Sequence, residues 1–127
     1  MPNKLQLITE LLIFSTKQST SSVADWKAFL SSSAWHYKYG YTDRLLIHAQ
    51  RPNATACAEF GVWNERLDRR ISKGSKGIAL LSTVGNRTQL RHVFDVADTY
   101  SRRNVPFKLW QRRGAGGGGA VRKGARH

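Results

Sequence analysis

YGYTDRLLIHAQRPNATACAEFGVWNERLDRRISKGSKGIALL, from Tyr39 to Leu81, carries the densest apolar patterning in the chain and decides its fold. After Gly40, Thr42 or Asp43 is placed to cap a helix that runs through DRLLIHAQ. Pro52 stops it, because the residue before a proline is pushed out of the helical region. Asn53–Thr55 reads as a turn. From about Cys57 onward, Phe60, Trp63, Leu67 and Ile71 fall at spacings of 3, 4 and 4. That is the period of one helix face, so a fourth helix is predicted there, with Arg66, Arg69, Arg70 and Lys73 opposite. Lys73-Gly-Ser-Lys-Gly77 reads as a tight loop, and Ile78 opens a strand.

Upstream, Leu5, Ile8, Leu11 and Leu12 form a helical stripe that predicts a first helix. Ser15–Ser22 is Ser/Thr-rich and reads as a loop. A second helix is capped by Ser21 or Ser22, runs through Val23, Trp26, Phe29 and Leu30, and reaches Trp35–Tyr39. Downstream, Ile78–Val84 and Gln89–Ala97 read as strands joined at Gly85-Asn86, a hairpin signal. In the second of these, Leu90, His92, Phe94 and Val96 share a face, which makes His92 a core histidine. A short strand is expected at Phe107–Trp110. The fold class is therefore α+β, with N-terminal helices packed on a small antiparallel sheet. Residues 1–110 form one domain, and the low-complexity stretch 111–127, QRRGAGGGGAVRKGARH, is expected to be disordered.

Lys and Arg number 21 against 8 acids, a formal charge of +13 on 127 residues, and this excess points to a polyanionic partner. Residues 61–113 carry 12 bases and 4 acids, so most of the excess sits in the second half. A single cysteine, Cys57, forbids an internal disulfide and fits a reducing cytoplasm. Glu10 interrupts the only apolar run near the N-terminus, which speaks against a signal peptide. No run approaches the ~20 apolar residues of a membrane span. A cytoplasmic location without membrane attachment is the expectation.

The order Y-x-Y, LLI-x-AQRP, AT-x-x-A, a tryptophan, KG-x-KGIALL and finally VFDVADT at Val93–Thr99 resembles the ArdC-like single-stranded-DNA-binding N-terminal domain. The likeness runs from about Trp26 to Trp110. It implies sequence-tolerant binding of single-stranded DNA, within a protein of conjugative or other mobile elements linked to anti-restriction. It also implies that VFDVADT forms the last strand. Members continue into a much longer protein, so this chain is expected to be a truncated piece.

The residues themselves offer a matching chemistry. Single-strand binders need cations along phosphates and flat rings for bases. Tyr37 and Tyr39 lie beside Lys38, and Arg44, His48 and Arg51, spaced i, i+4, i+7, share a helix face. Arg66, Lys73 and Lys76, with the loop glycines, form a second phosphate candidate. The plain alternatives are tyrosines packed between helices and solvated cations. Trp26 and Trp63, on apolar stripes, read as core, and Trp35 is open to either reading. There is no GxxxxGK[ST], no C-x-x-C and no H-E-x-x-H, so neither a cofactor nor a metal is expected. Asp95 and Asp98 leave a small metal-dependent nuclease or toxin-like enzyme as an alternative, and a protein-interaction anti-restriction module is another. The expectation is a binder rather than an enzyme.

Overall fold

Asn3 and Gln6 start the first helix. The Asn3 side chain accepts from the Gln6 N–H and the Gln6 side chain accepts from the Asn3 N–H, each at 2.9 Å, a reciprocal capping box. The computed structural model describes residues 3–101; the expected strand at Phe107–Trp110 and the Gly-rich tail lie outside the described residues. Helix α1 covers Lys4–Ser19 and so passes straight through the first half of the Ser/Thr run. Serine and threonine cost a helix only ~0.5 kcal/mol each. Their hydroxyls fold back onto it: Thr16 Oγ1 donates to the Leu12 carbonyl at 2.8 Å. Ser15 and Ser19 are buried, so packing overrides the weak local preference.

Ser22 caps α2 (Val23–Ser33), accepting from the Asp25 N–H at 3.0 Å. Regular helix ends there, short of the expected Trp35–Tyr39, and a 3₁₀ turn takes over at Ala34–His36. Helix α3 spans Tyr41–Gln50 with Gly40 at its N-cap, slightly earlier than Thr42 or Asp43 would have placed it. Leu45, Leu46 and Ile47 are all buried, because α3 is flanked by α1, α2 and the sheet.

The strands are β1 (Cys57–Ala58), β2 (Arg69–Ile71), β3 (Ile78–Val84), β4 (Arg87–Asp95) and β5 (Thr99–Ser101). β3 and β4 form the expected hairpin, with register from Ile78↔Val93 to Val84↔Arg87. Gly85 turns it at φ 63°, where a side chain would be strained. β1 pairs antiparallel with the other edge of β4, giving the order β1-β4-β3, and β2 pairs with β5 as a separate ribbon. The class is α+β, helices on a small antiparallel sheet. Gln50 pins the two layers together: its amide donates to the Ala79 carbonyl at 2.8 Å and accepts from the Ala79 N–H at 2.9 Å.

The fourth helix is a correction. Only residues 60–66 are helical, with Val62–Arg66 as a π turn, while Cys57–Ala58 before it and Arg69–Ile71 after it are the strands β1 and β2. Asp68 sits at φ 53°, a left-handed backbone that breaks any continuous helix from Cys57 to Ile71. Trp63 is nonetheless core at 0% exposure, packed with Ala56, Ala58, Leu67, Ile71 and Phe94, as its stripe implies. Phe60 leaves the core entirely and is 56% exposed. His92 is a second correction: it faces out, and Val93 and Asp95 supply the buried face of β4 instead. Trp26 is a third, standing at the surface against Phe29 with ring centroids 5.6 Å apart. The VFDVADT segment is not one strand. Val93–Asp95 closes β4, Val96–Asp98 is a 3₁₀ turn and Thr99 opens β5.

Cys57 is buried in the main core, and desolvation pushes its thiol well above the ordinary range. A thiol reagent such as DTNB is expected to leave the folded chain almost unlabelled at pH 8 and to react fully in denaturant. Rapid labelling of the native protein would contradict this burial.

Candidate nucleic-acid interface

The eight candidate side chains do not form one surface. Arg44 is half-buried and turned inward: its Nε donates to the Tyr39 carbonyl at 2.7 Å and its Nη2 to the Tyr37 carbonyl at 3.0 Å. It ties down the link between the 3₁₀ turn and α3. Arg51 makes a two-pronged pair with Asp98, at 2.8 and 3.3 Å, and that contact holds its guanidinium above its usual pKa. His48 packs edge-on against Phe29, and desolvation keeps its imidazole below the usual histidine pKa. The stripe Arg44–His48–Arg51 therefore serves the fold. The same interior recruitment reaches Tyr39, whose hydroxyl donates to the Cys57 carbonyl at 2.9 Å. Burial raises the pKa of that phenol.

Strand β2 dissolves the second stripe. Alternation sends Arg69 and Arg70 to opposite faces. Arg69 Nε donates to Thr99 Oγ1 at 2.7 Å, and Arg70 Nη1 to Asn64 Oδ1 at 2.8 Å. Lys73 and Lys76 remain exposed on the loop before β3. Gly77 in that loop has a packing reason: a Cβ there would stand 3.2 Å from the His92 Cβ and 3.4 Å from the Phe94 ring.

What the fold does assemble is a groove of about 390 Å³ between the Ala34–His36 turn and the Val62–Arg66 turn, with β1 along its wall. Trp35 and Tyr39 line it, both half-buried, with exposed Lys38 and Arg66 beside them. Its lining is mostly apolar, with Val62 and Leu67 opposite the aromatic side. Glu59 also lines it and continues, with Val62 and Arg66, into a shallower hollow bordered by Phe60 and His92. Of the sequence candidates, Tyr39 and Arg66 meet here. Tyr37, Lys73 and Lys76 are outside the groove lining.

His36 is a groove residue that the sequence did not single out. It is 2% exposed, and its Nε2 donates to the Ala54 carbonyl at 3.1 Å. Desolvation outweighs that bond and lowers its pKa, so the ring is neutral and Nδ1 is a bare acceptor without a partner among the described residues. Trp35 and Lys38 were also missed as a pair. Their signal was present in Trp35-His-Tyr-Lys-Tyr39, four rings around one cation, but spacing could not say which rings the core would claim.

The chemistry available at the two acidic alternatives is equally visible. Asp98 is engaged by Arg51, and Asp95, 3% exposed, accepts from the Thr55, Ala56 and Ala97 N–H groups. Among the described residues no three His, Cys, Asp or Glu side chains gather as a metal site would require, and no helix is long and apolar enough to cross a membrane. Comparison with protein-family models, with curated proteins and with solved structures finds no match.

Proposed function

We propose that this chain binds single-stranded DNA, without covalent chemistry, through the groove at Trp35. The observation that carries the reading is an apolar, aromatic-lined groove with Lys38 and Arg66 at it, on a chain of formal charge +13. A flat ring gives one base a stacking surface, and the cations meet the phosphates on either side. Lys73 and Lys76, exposed on the β2–β3 loop, and the bases of residues 102–127 add to the positive charge that attracts a polyanion. This places the sequence-tolerant part of binding in the phosphates, which carry no sequence information. In line with the resemblance of its sequence, the chain acts as the DNA-binding module of a mobile-element protein in the cytoplasm.

Fluorescence anisotropy with a labelled 12-nucleotide strand, titrated over salt, tests this. The log–log slope should be about −0.7 per phosphate neutralised, and Lys38→Gln or Arg66→Gln should each flatten it by about one such contact. Trp35→Ala should leave the slope unchanged and cost about 1–3 kcal/mol of affinity. A duplex of the same length should bind more weakly, because its base faces are hidden. Equal affinity for both forms, with Trp35→Ala silent, would overturn the reading in favour of a nonspecific polycation.

A further inference from the structure

Glu59 is out of place in a groove that serves only phosphates. A carboxylate beside Lys38 and Arg66 repels a phosphate oxygen and weakens the electrostatic attraction there. Its neighbour Arg91 does not remove it from play. Arg91 Nη2 pairs with Asp43 at 3.1 Å, whereas its Nη1 makes only a longer ion pair with Glu59, at 3.8 Å and beyond hydrogen-bond distance, which leaves the carboxylate's acceptor sites open. The Glu59 side chain is about half exposed, and its carboxylate accepts no hydrogen bond among the described residues. It lines the same groove as Trp35. A base stacked on that ring would turn its edge, not its phosphate, toward the groove walls.

We propose that Glu59 reads that edge and makes the groove selective for guanine within a single strand. The inference rests on the single-strand reading above and deepens it. A carboxylate is acceptor-only. Guanine alone among the four bases offers two adjacent donors on its pairing edge, the ring N1–H and the exocyclic amino group, and these match the two carboxylate oxygens. Adenine and cytosine each offer one amino donor next to a ring nitrogen acceptor. Thymine offers one N–H between two carbonyls, and both carbonyls repel a carboxylate. The expected order is guanine first, adenine and cytosine next, thymine last. Only an unpaired strand exposes this edge.

The test compares the full chain on a 12-mer of dT with the same strand carrying one central dG, at fixed salt. The single dG should raise affinity about tenfold, within the range of a good two-point base contact. Glu59→Gln should bring the two strands to within about twofold of each other, since an amide offers both a donor and an acceptor and serves either base. The ratio is the readout, so the charge change affects both strands alike. Glu59 is at the surface, and thermal unfolding of the variant should match the parent. Free guanosine monophosphate should displace the dG strand only at far higher concentration, because it lacks neighbouring phosphates. If both strands bind equally while Trp35→Ala still weakens them, the groove stacks bases and Glu59 does not read them. If guanosine monophosphate competes at equal concentration, the free nucleotide is the ligand. Loss of the Trp35 effect as well would overturn the single-strand reading together with this one.

Discussion

Trp63→Ala should destabilise the domain by about 3–5 kcal/mol, the range for emptying a large buried aromatic site. The side chain is fully buried and is the centre of the smaller core, between β1, the Leu67–Ile71 segment and the end of β4. Its indole N–H donates to the Phe94 carbonyl at 2.8 Å, so truncation removes a bond as well as volume. Collapse can refill little of the space, because the residues on the β1 side are Ala56 and Ala58. Trp63→Phe separates the two contributions. It keeps most of the ring contact and leaves the carbonyl without its indole donor, at a cost of about 1–3 kcal/mol. Small domains are stable by only about 5–15 kcal/mol, so the alanine variant should lose a large fraction of its stability. Urea unfolding followed by circular dichroism gives the measurement: the midpoint falls and the slope stays constant. A variant of parental stability that had lost DNA affinity would make Trp63 a stacking surface and overturn its place in the core.

That residue also marks where sequence reasoning held and where it gave out. Apolar periodicity correctly assigned Trp63 to the core and identified α1 and α2, while cap and stop residues identified α3 and the Gly85-Asn86 turn the β3–β4 hairpin, because those elements announce themselves through signals between near neighbours. The segment around Trp63 does not. Cys57–Ala58 becomes a strand only because β4 lies beside it, paired at Ala58↔Phe94 and Cys57↔Asp95 far along the chain, and Arg69–Ile71 only because Thr99–Ser101 pairs with it. Nothing local distinguishes such a strand from a helix when four apolar residues happen to fall at helical spacing. The binding residues were obscured for a related reason. A stripe of Arg44, His48 and Arg51 describes an isolated helix, but folding brings Asp98 to Arg51 and Phe29 to His48. Charge that looked available for phosphate had interior partners distant in sequence. Lys38 and Arg66, which stay at the surface, come together through the turns that precede α3 and β2.

Asp95 joins the fold to the groove, and its replacement should show that dependence. The carboxylate is nearly sealed from solvent. Oδ1 accepts from the Thr55 and Ala56 N–H groups at 2.9 and 3.1 Å, and Oδ2 from the Ala97 N–H at 3.0 Å. These bonds hold the 54–56 segment against the end of β4. That segment in turn supplies the Ala54 carbonyl that orients His36, and it leads directly into Cys57 and Ala58 on the groove wall. Asp95→Ala removes the acceptor for all of them, and an unsatisfied buried N–H costs about 1–3 kcal/mol, so a total loss of at least about 3 kcal/mol is expected. Asp95→Asn keeps one oxygen and turns an amide donor toward an N–H at the other end, so it should lose less stability but still more than about 1 kcal/mol. Either variant should also weaken single-strand binding under conditions where it remains folded, although Asp95 is not itself a groove-lining residue and reaches the lining only through its ladder partner Cys57 and the 54–56 segment. Hydrogen exchange provides the discriminating readout, with the Thr55 and Ala56 amides losing protection before the β3–β4 hairpin does. If those two amides remain as protected as in the parent chain, Asp95 does not anchor the segment, and the support it gives to His36 and to the groove must come from elsewhere.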